Sequence, residues 1–266
     1  MKNTPFIAVT SQPVPYHADT TAIFNTLCQQ NSNSLLLDSA EIGSKNSLQS
    51  LILINAAVKI TCLGNQVTFR ALNANGKQVL KEIHPVLSQL GTVSAVSFDN
   101  EFSVQFAPLD NQLDEDSKLQ AATIFDGLRV ISNHYQHSST PVFLGGLFAY
   151  DLVANFIPMQ GVELKDDGIH CPDYSFYLAE NLITIDHQSQ QATLKSFCFS
   201  QEEQVEVAKT ALSISQKLKN IDGVLSIKAA SDEVSTNFED PEFTGIVKAL
   251  KHHINIGDVF QIVPSR

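Results

Sequence analysis

Four small groups of polar residues in this chain are placed where they could do chemistry. Asp38 and Ser39 close the run Ser34-Leu-Leu-Leu-Asp-Ser39. A carboxylate and a hydroxyl at the end of a buried strand can hold an ammonium group, and they can equally cap nearby backbone. His252 and His253 are adjacent in a helical pattern. Neighbours on a helix point about 100° apart, so the two rings do not converge on one metal, and a helix C-terminus favours His for its charge. Asp114-Glu115-Asp116 precedes another helical pattern, and acidic residues there complement the helix dipole without a metal. Gly145-Gly146 sits in an apolar run with no Lys after it, a setting for close backbone packing rather than a phosphate loop. No H-E-x-x-H, G-x-x-x-x-G-K-[ST], G-x-G-x-x-G or G-x-S-x-G occurs.

The elements that must position these groups follow from periodicity. Asp19 is an N-cap for a short helix carrying Ile23, Phe24 and Leu27. The three leucines 35–37 read as a buried strand ending at Asp38–Ser39. Val58, Ile60 and Cys62 alternate with polar residues, as do Val67, Phe69 and Ala71 beyond Gly64–Asn65, which predicts a hairpin. Asn75–Gly76 reads as a second turn leading to another strand. Ser117 to His134 reads as one helix, with Leu119, Ala122, Phe125, Leu128 and Ile131 near one face. Asn181–Asp186 and Ala192–Phe199 form another hairpin. Ser200 and Glu203 make a capping box for a helix to about Lys219. After a polar connection, Asp240–Pro241 opens a helix with Phe243, Val247 and Leu250 on one stripe, and Val259 to Arg266 starts a strand beyond Gly257–Asp258. The result is an α+β fold, rich in antiparallel sheet with flanking helices. The domain reading is 1–222, a linker at 223–239, and the start of a second domain at 240–266.

Composition narrows the class. The 266 residues are 43% hydrophobic and 17% charged, with a net charge of −11, which suits a globular protein with a real core. Acidic chains repel phosphate backbones and anionic membranes, so neither nucleic acid nor a membrane is expected as a partner. No apolar run approaches a membrane span and the first residues lack a signal-type apolar region, so a cytoplasmic protein is expected. Cys28, Cys62, Cys171 and Cys198 are far apart with no C-x-x-C, the pattern of reduced thiols.

Five stretches, in order, resemble one family. They are Leu35-Leu-Leu-Asp-Ser-Ala40; Ala57-Val-Lys-Ile-Thr-Cys-Leu-Gly64; Gly145-Gly-Leu-Phe-Ala-Tyr-Asp151; Cys171-Pro-Asp-Tyr-Ser-Phe-Tyr-Leu-Ala-Glu180; and Gly257-Asp-Val-Phe-Gln-Ile-Val-Pro-Ser-Arg266. Together they resemble the amino-terminal half of anthranilate synthase component I, the large chorismate-binding subunit, in its enterobacterial type. The resemblance implies conversion of chorismate and ammonia to anthranilate and pyruvate with Mg2+, ammonia supplied by a glutamine amidotransferase subunit (component II) in a heterotetramer, and inhibition by tryptophan. It puts the acidic catalytic groups and the Mg2+ carboxylates beyond residue 266, so the stretch alone is expected to be inactive.

Carried onto this chain, the resemblance makes Ser39 and Asp38 tryptophan-binding residues. The family usually has Glu where Asp38 stands, and several relatives have Lys where Gln49 stands, so weaker inhibition is expected. Arg129 and Ser175 align with positions tied to feedback sensitivity. Gln261 lines the expected active site. Relatives that add water to chorismate carry a Lys there, whose neutral amine can act as a base. Gln cannot, and ammonia needs no such base, so Gln261 points to amination. Two other readings stay open: a non-catalytic tryptophan-binding or partner-binding module, and component I of aminodeoxychorismate synthase.

Overall fold

The computed structural model describes residues 5–29, 31–38, 48–97, 100–108, 113–138, 140–157, 171–221 and 235–266. They fall into two units, 1–224 and 225–266.

Among the described residues the first unit is built on nine antiparallel strands: β1 (Ala8–Val14), β2 (Leu35–Leu37), β3 (Gln49–Leu63), β4 (Gln66–Ala71), β5 (Thr92–Ser97), β6 (Glu101–Gln105), β7 (Leu144–Phe148), β8 (Tyr174–Asp186) and β9 (Gln191–Cys198). The sheet runs β1-β9-β8-β3-β4-β6-β5, with β2 paired to β3 and β7 to β8. Five helices accompany it: α1 (Thr20–Cys28), α2 (Ala74–Leu87), α3 (Glu115–Gln120), α4 (Asp126–His134) and α5 (Gln204–Leu218). The α+β class and both hairpins agree with the sequence reading. Asp19 caps α1, its carboxylate accepting from Ala22 N at 2.9 Å, and Gly64 turns β3 into β4 at φ +56°.

Strands β3 and β8 form the spine, paired from Gln49↔Asp186 to Cys62↔Tyr174. Their register shifts between Leu53 and Val58. Such an irregularity lets a strand change which side chains face which core. Ile52 and Ile54 join a cluster with Ile23, Ile183, Ile185, Leu194 and Ile214, the side of α1 and α5. Past the shift, Val58, Ile60 and Cys62 join a second cluster with Phe69, Leu80, Ile83 and Ile131, the side of α2 and α4. Even-numbered residues of β3 thus serve one core at one end and the other core at the other.

Several expectations are corrected. Asn75–Gly76 is no turn to a strand but lies in the first turn of α2. Asn73 caps that helix, accepting from Gly76 N at 2.8 Å. Gly76 is required by packing, since a β-carbon there would collide with the Ala57 carbonyl. The single helix over 117–134 is two helices, because Ala121 is extended (φ −65°, ψ 142°) and the Asp126 carboxylate accepts from Thr123 N at 2.7 Å. The capping box before α5 does not form. Ser200 Oγ accepts from Glu202 N at 3.3 Å, and Glu203, at the N-cap, makes no side-chain cap bond.

In the second unit α6 spans Asp240–Asn255, preceded by Glu239 rather than Asp240 at the N-cap, and none of its residues is buried. The expected strand from Val259 is absent: 259–266 has no regular structure, and a strand needs a ladder partner that no described residue supplies. Most of the polar connection, 222–234, lies outside the described residues. No helix among the described residues is long and apolar enough to cross a membrane.

Candidate functional site

Asp38 is exposed, one residue beyond β2. Leu37 pairs with Leu51, which sets Asp38 opposite Ser50 of β3. Ser50 is fully buried and donates its hydroxyl to Asp38 Oδ1. The same Oγ lies 2.8 Å from Nε2 of His187, just past the end of β8. His187 Nδ1 lies 3.2 Å from the hydroxyl of half-buried Tyr16, and the two rings meet edge-on. The backbone N–H of His187 donates to Leu48 O at 2.9 Å, fixing the residue against β3.

The donor count sets the direction of this chain. Ser50 has one proton and gives it to Asp38, so His187 donates from Nε2 to Ser50. The chain is His187 → Ser50 → Asp38, with the Tyr16 hydroxyl on the far side of the ring, and it ends on a carboxylate. Among the described residues nothing donates to the other oxygen, Oδ2. Sequence reading reached Asp38 and missed Ser50, His187 and Tyr16. The one signal was Ser50 itself, a polar residue inside the apolar run Leu48–Ile54. Ser39 lies outside the described residues.

The feedback-sensitivity candidates lie elsewhere. Ser175 is near the start of β8, paired with Thr61 of β3 and Leu147 of β7. Arg129 on α4 pairs with Asp126 at 3.2 Å and lies over the Phe125 ring. Phe125 stacks on Phe156 and meets Phe148 edge-on. Phe148 in turn touches Tyr174 and Phe176, the neighbours of Ser175. The structure therefore brings Arg129 and Ser175 to one aromatic wall. It does not bring them to Asp38: ten residues of β8 separate Ser175 from Ile185, the partner of Ser50, roughly 30 Å at the usual strand rise. Gly146 serves the wall, as a β-carbon there would collide with the Ser175 carbonyl. Burial and the nearby Asp173 push the Cys62 thiol up to about 12, against a hydrogen bond with Tyr174, so it stays protonated and unreactive.

Between the two ends lies a buried carboxylate that sequence reading also missed. Glu180 Oε2 accepts from Asn73 Nδ2 at 2.8 Å and Asn75 Nδ2 at 2.9 Å. Asn75 also donates to Phe197 O and accepts from Phe199 N, joining α2 to β9. Burial raises the Glu180 pKa above its ordinary value, the two asparagines oppose this, and Glu203 adds to it. Every member is satisfied, the signature of a structural network.

The remaining candidates behave simply. Gln261 is exposed in the irregular segment after α6. His253 Nδ1 lies 2.8 Å from Asp258, and the His252 and His253 rings meet edge-on, 5.9 Å between centroids, at the helix end. Asp114 caps α3 through Ser117 N at 2.9 Å. Among the described residues no three His, Cys, Asp or Glu side chains are grouped to hold a metal. The described part of this chain therefore does not fit Mg2+ by itself.

Comparison with known proteins defines the class. Residues 80–266 match the chorismate binding enzyme family, and the chain belongs to that family. Over 261 residues it is 86% identical to anthranilate synthase component 1 of Haemophilus influenzae, covering 98% of this chain and 50% of that protein. It is 41% identical to the Vibrio cholerae protein of the same name over 276 residues (100% and 51%), and 35% identical to the Escherichia coli one over 257 residues (94% and 48%). The chain spans about half the length of the curated relatives it matches.

Proposed function

We propose that this chain serves as the amino-terminal half of an anthranilate synthase large subunit. Chorismate and ammonia give anthranilate, pyruvate and water, with tryptophan as a feedback inhibitor. The observation that carries this reading is the 86% identity, over nearly the whole chain, to a relative named anthranilate synthase component 1. About a seventh of the aligned residues differing between two proteins rarely redirects chemistry unless the site itself changes, and Gln261 is of the residue type suited to amination over hydration.

In this reading Asp38 and Ser39 take the ammonium group of tryptophan. Oδ2 of Asp38, to which no described residue donates, is the acceptor, and a charge-assisted hydrogen bond is the strong kind. Arg129 and Ser175 do not touch the ligand. They bias the arrangement of the two halves that tryptophan prefers, since an effector acts only through its different affinity for two states. Mg2+ and most chorismate contacts belong to the part of the relatives this chain does not span. The partner is a glutamine amidotransferase subunit in a heterotetramer, in the cytoplasm.

The test is product analysis on the protein as its cells make it, with chorismate, Mg2+ and either ammonia or glutamine plus the amidotransferase. Anthranilate fluorescence with equimolar pyruvate is expected, and none from residues 1–266 alone. A hydroxylated product or an aminated product that retains its pyruvyl group would sink the reading, the latter in favour of aminodeoxychorismate synthesis.

A further inference from the structure

The Asp38 carboxylate does not stand alone at its strand end, and the groups behind it have a consequence for ligand binding. Ser50 is wholly buried, so its hydroxyl cannot be satisfied by water. Its one proton goes to Asp38 Oδ1. That bond orients the carboxylate only if Ser50 cannot rotate its proton elsewhere. His187 ensures this, since a ring N–H aimed at Ser50 Oγ from 2.8 Å occupies a lone pair and leaves the hydroxyl proton only the Asp38 direction. Tyr16 packs edge-on against the other side of the ring, its hydroxyl 3.2 Å from Nδ1, and holds the ring in place. The chain crosses three adjacent strands: Asp38 follows β2, Ser50 is in β3, and His187 follows β8. The one ionised group beside His187 on its own strand, Asp186, is committed to the β8–β9 turn through Gln188 N and Ser189 N, both at 2.9 Å. It also lies close enough to His187 for the two to interact electrostatically.

We propose that His187, acting through Ser50 and held in place by Tyr16, is a positioning residue that aims Oδ2 of Asp38 at the ammonium group of an amino-acid effector. The inference rests on the reading of Asp38 as part of the tryptophan site and adds residues to it. A carboxylate left free to rotate loses part of the binding it could give, because its ordering must then be done by the ligand.

The test is calorimetric titration of the protein, as its cells make it, with L-tryptophan. His187→Phe keeps a ring but removes both nitrogens, and its Kd is expected to rise about tenfold. His187→Gln restores a donor near the Nε2 position and is expected to stay within about twofold of the parent. Nitrogen-15 spectra of the parent should show a proton on Nε2 of His187. Ser50→Ala carries the same expectation as His187→Phe should the latter fail to fold. If Asp38→Asn weakens binding while His187→Phe and Ser50→Ala bind like the parent, the positioning inference is overturned and the site reading stands. If Asp38→Asn binds like the parent, the site reading itself is overturned. If His187→Gln binds as weakly as His187→Phe, the ring acts by packing and the inference also falls.

Discussion

The same two strands, β3 and β8, end very differently. At the Gln49–Asp186 end, buried Ser50 links His187 to an exposed carboxylate, so the packing there is directional and polar. At the Cys62–Tyr174 end, Phe148 touches Phe125, Tyr174 and Phe176 in an apolar wall, with Arg129 over its rim. A hydrogen-bond chain can aim a charge at a ligand, whereas an aromatic wall can only hold shape. The irregularity between Leu53 and Val58 allows one strand to do both, by turning its even-numbered side chains from one core to the other. On the proposed reading, direct ligand contact belongs to the first end, and the second end bears on tryptophan only from a distance.

The largest expected effect tests the rigidity of the aromatic end. Gly146→Val would drive side-chain carbons into the Ser175 carbonyl and to within 2.7 Å or less of Phe176 Cα, backbone that cannot yield cheaply. A loss of about 3 kcal/mol or more in urea denaturation is expected. A loss below about 0.5 kcal/mol would mean that β7 is free to lift off β8, and the wall would not be the fixed shape argued here.

A smaller effect is expected midway, at Glu180. Its folded pKa is raised by burial above the ordinary 4.5. The folded protein therefore holds a proton that the unfolded chain releases. That contribution to stability is complete below about pH 4.5 and is lost as pH rises through the folded value. Gln at this position cannot titrate and still accepts from Asn73 and Asn75. Glu180→Gln should flatten the stability profile above that pH and be the more stable of the two proteins near pH 7.5. Parallel profiles for the two proteins would show that the asparagines keep Glu180 ionised at no cost.

What the sequence disclosed follows the reach of each interaction. Both hairpins were legible because alternation and turn residues act within a dozen positions, as with Val58–Cys62 against Val67–Ala71. The full length of β3 was not. Buried on both faces at Leu51–Ala57, it has no alternation to read, and its register shifts depend on β8. Asn75–Gly76 misled because the turn preference of Asn is overridden when its amide is claimed by Glu180, Phe197 and Phe199. At the site, Asp38 stood out as the polar end of a leucine run. Its link to His187 joins residues far apart in sequence and exists only once β2, β3 and β8 are in register. The single helix expected over 117–134 failed for a local reason that was visible in principle: Asp126 caps Thr123 from inside the apparent helix.

The smallest expected effect separates contact from influence most sharply. Arg129 is 58% exposed and paired with Asp126 three residues away, so its removal should change stability by less than about 1 kcal/mol. If it bears on tryptophan at all, it does so from the aromatic end, roughly 30 Å from Asp38 along the strands. Sites that far apart with no shared partner contribute additively, within about 0.5 kcal/mol. In tryptophan titrations of Arg129→Ala, Asp38→Asn and the double variant, the coupling between the two should fall inside that margin, with Asp38→Asn much the larger single effect. Coupling above about 1 kcal/mol would show that the two ends of β3 and β8 respond as one unit. In that case the register shift between them would be the element transmitting the response, and the division into a binding end and a structural end would have to be abandoned.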